Sequence, residues 1–355
     1  MTVKTVGIDV AKSVFHLVGL NRAGKIVLRR RLSRTQLLRL TAQLKPCLIG
    51  MEPCCGAHHL GRRFVEQGHE VRLIPAQFVR PFVKSNKNDY NDAEAIAEAV
   101  GRPRMRFAPL KTVEQLDLQA LHRVRDRLVG RRTGVINQLR AFLLERGLAV
   151  RQGRLHLQRR MPELLEDAEV MLSARMRALL DSLWQEWRQL EAEIAVLTQQ
   201  IRQVAHGSPD CQRLMQIPGI GPLIATALVA AIGSGHGFRC GRDLGAWLGL
   251  VPRQHTTGGK QKLLGISKRG NSYLRRLLLH GARAARLHAH REQHLFGAWL
   301  SRLEQRVHAN VAVTALANKL ARIAWAVLYH KQDYRQKAPA SIAAAAGGLP
   351  SPCSG

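Results

Sequence analysis

Acidic residues are scarce in this chain: 25 Asp and Glu stand against 55 Lys and Arg, a formal charge of +30 over 355 residues. Such a balance costs self-repulsion unless a polyanion neutralises it, so nucleic acid is the expected partner. The basic residues run from Lys4 to Lys337 rather than along one amphipathic helix, which argues against a membrane-surface protein. No apolar run reaches the ~18 residues of a membrane-spanning helix. Met1-Thr2-Val3-Lys4 leads into a strand without the profile of a signal peptide, so a cytoplasmic protein with no membrane partner is expected. The six cysteines, Cys47, Cys54, Cys55, Cys211, Cys240 and Cys353, contain no Cys-x-x-Cys pair, which argues against structural zinc and for reduced thiols. His290 and His294 stand four apart, but no Glu directly follows the first of them as in a zincin helix, and the pair reads as a basic helix surface. What the chain does have is apolar content, 46%, and length enough for two or three cores.

The few acids are placed suggestively. Lys87-Asn88-Asp89-Tyr90-Asn91-Asp92-Ala93 sets two carboxylates three residues apart, and helix-favouring Ala93-Glu94-Ala95-Ile96-Ala97 would carry both on one face. Like charges held that close invite a hard cation such as Mg²⁺ or Mn²⁺. The competing reading is a helix first turn whose acids complement the macrodipole, with Asp89 as cap.

Upstream, Thr5-Val6-Gly7-Ile8-Asp9-Val10 alternates, with Val6, Ile8 and Val10 on one face and Gly7 and Asp9 on the other. Strands are predicted over Ser13–Leu20 and Lys25–Leu32, a helix over Thr35–Leu44, and a buried strand over Cys47–Met51 that delivers Glu52 at its C-terminal end. A helix over Ala57–Gln67, a strand over Glu70–Ile74 and the Asp89/Asp92 helix complete a βββαβαβα order. That order is found in ribonuclease H-like folds, whose acids converge from the first strand, the fourth strand and a late helix. Asp9, Glu52, Asp89 and Asp92 fall at those places. Taken singly, Asp9 could instead face a basic neighbour, and Glu52 could be a loop carboxylate beside Pro53.

From Thr112 to Arg146 an apolar stripe including Leu121, Leu128, Val135 and Leu139 predicts a long helix decorated with arginines, and Pro162–Val204 predicts a second. Together they form an antiparallel coiled arm, either scaffold or a dimer- or nucleic-acid-holding element. Leu214-Met215-Gln216-Ile217-Pro218-Gly219-Ile220-Gly221-Pro222 has the form of a helix-hairpin-helix, in which Gly219 and Gly221 would let backbone N–H groups approach phosphate; a tight turn between packed helices is the alternative. Then Gly249 to Lys260 and Leu264 to Arg276 form a loop with hydroxyls beside two glycines among Arg253, His255, Lys260, Lys262, Lys268, Arg269 and Arg275. It can hold an alcohol against phosphate, or bind nucleic acid with no chemistry. The stretch to Tyr329 reads as helical, and the Ala-, Gly-, Pro- and Ser-rich end as a disordered tail.

Gly7-Ile8-Asp9-Val10, Glu52-Pro53, Asn88-Asp89 with Asp92-Ala93, Ile217-Pro218-Gly219-Ile220-Gly221, and Gly249-Leu250-Val251-Pro252 through Ile266-Ser267-Lys268-Arg269-Gly270 together resemble the DEDD transposases of insertion sequences, described as bridge-RNA-guided recombinases. The resemblance extends to about Tyr329. It implies a RuvC-like, ribonuclease H-like α/β catalytic domain (1–110) holding Mg²⁺ on Asp9, Glu52, Asp89 and Asp92, and a helical coiled arm (111–206). A mostly α transposase domain (207–335) with the helix-hairpin-helix would supply the nucleophile, and residues 336–355 would be the tail. It further implies donor and target DNA and a structured noncoding guide RNA as partners, and a homo-oligomer, dimer or tetramer, as the working form. Where relatives carry serine before the two glycines, this chain has Thr256-Thr257. Thr256 ranks first as nucleophile and Thr257 second. A RuvC-like nuclease using water, or a catalytically impaired copy that only binds nucleic acid, are the alternatives.

Overall fold

The computed structural model describes residues 2–334 apart from 85, 87, 168, 171 and 289–295. Lys87, the His290/His294 pair, Cys353 and the expected tail lie outside the described residues. Two compact units emerge, Met1–Leu116 and Asp117–Gly355.

The first unit is built on β1 (Thr5–Asp9), β2 (Val14–Leu20), β3 (Ile26–Ser33), α1 (Arg34–Gln43), β4 (Leu48–Met51), α2 (Ala57–Glu66), β5 (Glu70–Leu73), α3 (Ala76–Val79) and α4 (Asp89–Val100). The strands form one sheet in the order β3-β2-β1-β4-β5. The β1–β2 and β2–β3 pairs are antiparallel, and the β1–β4 and β4–β5 pairs are parallel. The expected alternation of β1 holds: Val6 and Ile8 join Ile49, Met51, Leu37, Leu60 and Phe64 in a core on one face. Short α3 and the 3₁₀ turn Arg80–Phe82 escaped the sequence, because four apolar-rich residues carry no periodicity.

The other face receives α4. Two glycines make this possible, Gly7 and Gly50, which pair across β1 and β4. A Cβ at Gly7 would lie 2.1 Å from the Ala93 carbonyl oxygen and 2.4 Å from the Ala97 nitrogen, so the helix backbone rests directly on the strand. At Gly50 the same atom would meet Val100 at 2.9 Å. Ala93 and Ala97 complete the contact as the small residues of α4. Gly7→Ala is therefore expected to lower stability by about 1–3 kcal/mol or more, since backbone cannot step aside as a side chain can. The check is a lower urea midpoint together with faster amide exchange in α4.

The second unit contains α5 (Val113–Leu144, which begins just before it), α6 (Arg154–Glu166), α7 (Ala174–Gly207), α8 (Pro209–Met215), α9 (Pro222–Ile232), α10 (Gly241–Trp247), the hairpin β6 (Pro252–Thr257) and β7 (Lys260–Ile266), α11 (Ser272–His288), α12 (Gly297–Glu304) and α13 (Ala309–His330). Bonds from Arg125 to Thr198, Arg132 to Glu191 and Arg131 to Glu186 run in opposite sense along α5 and α7, so the two are antiparallel. The helix expected over 162–204 is in fact two. Pro162 sits inside α6, where Leu157, Met161 and Leu164 bury against Trp187 and Leu190, and packing overrides propensity. Arg177 closes the break by donating to the carbonyls of Leu164, Leu165 and Asp167, and Ser173 caps α7.

α13 also departs from expectation. Despite Lys319 and Arg322 it is long and apolar enough, at mean hydropathy 1.4, to cross a membrane by length and composition. Its buried Leu316, Leu320, Ala324 and Leu328 lie in the largest core of the unit, with Leu228, Leu244 and Leu278.

A buried polar network ties α5, α9 and α11. Thr226 Oγ1 donates to the Pro222 carbonyl at 2.6 Å, so it accepts from His122 Nε2–H at 2.9 Å. That leaves His122 Nδ1 to accept from the Tyr273 hydroxyl at 2.9 Å. Burial, aided by Arg125, pushes His122 down to about 4 from 6.5. Between those values the unfolded chain binds a proton that the folded chain refuses, so stability falls as pH drops through this window, by about 3 kcal/mol at most. Melting midpoints measured from pH 7 to 4 should show this, with a shallower pH slope in His122→Gln.

Candidate functional site

β1 ends at Asp9, and α4 begins at Asp89 on the same face of the sheet, because the glycine contact brings the helix across that strand. Asn88, not Asp89, is the N-cap: its Oδ1 accepts from the Tyr90 nitrogen at 2.9 Å. The Asp89 carboxylate is thereby left to face the sheet, where His16 Nδ1 stands 3.3 Å from Oδ2. Asp9, His16 and Asp89 offer donor atoms that all lie within 4.8 Å of one another. Glu52 and Asp92 stand outside that group. Burial, then Asp9, then Asp92 push the Glu52 carboxyl above its ordinary range, and Arg80 opposes them. Farther along α4, Glu94 and Glu98 are paired with Lys84 on the solvent side. Carboxylates that repel one another in this way form a set that a divalent ion would stabilise.

Three residues of this face were missed in the sequence. His16 lies opposite Asp9 in the β1–β2 register, and Arg31 lies opposite His16 in the β2–β3 register. Arg29, two residues before Arg31, rests over the Tyr90 ring at 4.3 Å. Counting register outward from the short 10–13 connection would have found His16, since partners across a hairpin share a face.

The expected nucleophile loop is instead a hairpin. Gly258 and Gly259, at φ +56° and +74°, make its two-residue turn, a conformation that glycine adopts without strain. The pairs Gln254↔Leu263 and Thr256↔Gln261 alternate with His255↔Lys262 and Thr257↔Lys260. The strand period therefore gives the two threonines opposite faces. Thr256 shares its face with uncharged Gln254, Gln261 and Leu263, and Gln254 Nε2 donates to its hydroxyl at 2.9 Å. Thr257 shares the other face with His255, Lys260 and Lys262. Both threonines are exposed, as are Arg253, Lys260, Lys262, Lys268 and Arg269. Arg275 is used structurally: it donates to the carbonyls of Leu248 and Arg269 at the hairpin base. Gly249 and Gly270 lock that base, for a Cβ at Gly270 would meet the Trp247 carbonyl oxygen at 1.8 Å.

In the α8–α9 turn the two glycines differ. Gly219, at φ +89°, packs on α11, where a Cβ would meet the Gly281 carbonyl oxygen at 2.6 Å, which favours the packed-turn reading for that residue. Gly221, the N-cap of α9, has open space where a Cβ would stand.

Two family profiles match the chain. A DEDD transposase profile covers residues 6–146, and the Transposase IS116/IS110/IS902 family profile covers residues 211–296. A probable family 20 transposase of Pseudomonas aeruginosa is 47% identical over 336 residues, 94% of this chain and 99% of the relative. The transposase for insertion sequence element IS1111A of Coxiella burnetii is 45% identical, over 94% of this chain and 92% of its own length. The transposase for IS1328 of Yersinia enterocolitica is 44% identical, over 92% and 96%. With relatives of that identity spanning nearly the whole sequence, and carboxylates gathered where the N-terminal profile lies, the chain belongs to the IS116/IS110/IS902 family of insertion-sequence transposases.

Proposed function

We propose that the protein cleaves and exchanges DNA strands by metal-assisted transesterification, with Asp9, Glu52, Asp89 and Asp92 holding divalent ions, Mg²⁺ or Mn²⁺, in a ribonuclease H-like, RuvC-like domain. The convergence of Asp9 and Asp89, brought by different elements to one face with a third donor within 4.8 Å, carries this reading. The Glu52 carboxyl, pushed up by burial and then by Asp9 and Asp92, supports it, and the β3-β2-β1-β4-β5 order with α4 laid over β1 is compatible with that domain type. When bound, such ions polarise the scissile phosphate and stabilise attacking and leaving oxygens.

The hydroxyl nucleophile is Thr257 rather than Thr256, which reverses the ranking drawn from sequence. Its face of the hairpin carries His255, two residues away, to accept the hydroxyl proton, and Lys260 and Lys262 to neutralise phosphate charge. The threonine Oγ1–phosphorus bond forms as the bond to the leaving sugar oxygen breaks, and that oxygen takes up a proton. Bond energy is kept in the covalent adduct until strand exchange resolves it, with no need for ATP. Arg253, Lys268 and Arg269 on the exposed hairpin and its base, Gly221 at a helix-hairpin-helix turn, and Arg29 and Arg31 beside the acids would grip the backbone. The charge of +30 suits polyanion partners, read here as donor and target DNA together with a structured noncoding guide RNA, with a dimer or tetramer as the working form in the cytoplasm.

The test is a denaturing gel after incubation with labelled DNA from the element's ends, its flanking noncoding RNA and Mg²⁺. A protein–DNA adduct is expected with wild type and none with Asp92→Ala. Cleavage without an adduct would favour a nuclease using water, and binding without cleavage an impaired copy.

A further inference from the structure

The donors that stand closest together at the carboxylate face are not all oxygens. We infer that His16 is a nitrogen ligand of the ion held by Asp9 and Asp89, and that it makes this chain's site take Mn²⁺ in preference to Mg²⁺. This assignment rests on the metal site proposed above and adds to it a residue outside the four carboxylates.

Register fixes where His16 can be. It is the cross-strand partner of Asp9, so both side chains leave the sheet on one face. Its side chain is only 12% exposed, against 57% for Asp89. The Tyr90 ring meets it edge-on, with centroids 4.7 Å apart and planes at 73°. Tyr90 is itself held under Arg29, so the imidazole has little room to swing away from Asp9 and Asp89. Donors roughly 2.1–2.3 Å from one ion lie about 3 to 4.6 Å apart. The observed separations, all within 4.8 Å, therefore need only small rotations. Position 16 also contrasts with the solvent face of α4, where Lys84 neutralises Glu94 and Glu98; at Asp9 and Asp89 a group able to donate a lone pair stands where a lysine could not ligate.

The chemistry follows from the ligand type. Nδ1 stands 3.3 Å from Asp89 Oδ2, where it donates a proton to that carboxylate; a bound ion would take that proton's place, accepting the Nδ1 lone pair of an imidazole that keeps its proton on Nε2. Imidazole nitrogen suits first-row transition ions, whereas Mg²⁺ prefers oxygen and gives up its waters reluctantly. An Asp–His–Asp set thus raises affinity for Mn²⁺ more than for Mg²⁺.

Pulsed EPR of the full chain loaded with Mn²⁺ reads this directly. Wild type should show ¹⁴N modulation from a coordinated imidazole, and His16→Ala, or His16→Gln if the alanine variant does not fold, should lose it. By calorimetry the same variants should lose about tenfold in Mn²⁺ affinity, with Mg²⁺ affinity changed far less. Mn²⁺ that binds wild type, and fails to bind Asp9→Asn, but gives no ¹⁴N modulation would overturn the role of His16 and leave the carboxylate site standing. Modulation that persists without His16, or an unchanged preference between the two ions, would also overturn it. Absence of Mn²⁺ binding by wild type would remove both this assignment and the metal site beneath it.

Discussion

Asp9→Asn is expected to reduce strand cleavage by about a thousandfold or more while leaving DNA binding within a fewfold of wild type. The substitution keeps the shape of a half-buried side chain at the end of β1 and removes only its charge. Asp9 is the acid that both remaining parts of the cluster share: it stands with His16 and Asp89, and it raises Glu52 together with Asp92. Losing its charge weakens every ion the set can hold. On the proposed function the exposed basic residues of a chain at +30 carry DNA affinity, so gel-shift affinity and cleavage rate are expected to separate cleanly. Equal loss of both would mean that Asp9 supports the fold and has no role in the chemistry.

Thr257→Ala is expected to abolish the protein–DNA adduct, whereas Thr256→Ala should retain cleavage within about tenfold. Opposite faces of a strand cannot both meet one phosphate. The face with His255, Lys260 and Lys262 supplies a base and cations, whereas the face of Thr256 supplies two glutamines and a leucine. The hydroxyl of Thr256 is moreover already bonded to Gln254. Thr257→Ser, which replaces a crowded secondary alcohol with a primary one at the same place, should hold or raise the rate. Adduct formation is the measurement, and an adduct surviving in Thr257→Ala but lost in Thr256→Ala would reverse the assignment.

Much of the first unit was legible because its signals are local. Alternation in Thr5-Val6-Gly7-Ile8-Asp9 announces a strand and puts Asp9 opposite the core face, and the structure agrees residue by residue. Glu52 follows a run of four strand residues, and burial, then Asp9, then Asp92 push its carboxyl up. What stayed hidden depends on pairing or packing between distant segments. His16 is an ordinary polar residue until the β1–β2 register sets it beside Asp9. The close passage of α4 shows only when a Cβ is imagined at Gly7. Gly258-Gly259 is a hairpin signal, yet the flanking strands are exposed and lack apolar alternation, so the segment read as a loop. The split between α6 and α7 is held by Arg177 reaching back to carbonyls, which no periodicity records.

Anomalous diffraction from a crystal of the protein soaked in Mn²⁺ tests the metal site most directly. The expected result is a peak about 2.2 Å from carboxylate oxygens of Asp9 and Asp89, with Glu52 and Asp92 on the same or an adjacent ion. A map in which Mn²⁺ is bound elsewhere, or in which these four acids carry no anomalous density at saturating metal, would contradict the account.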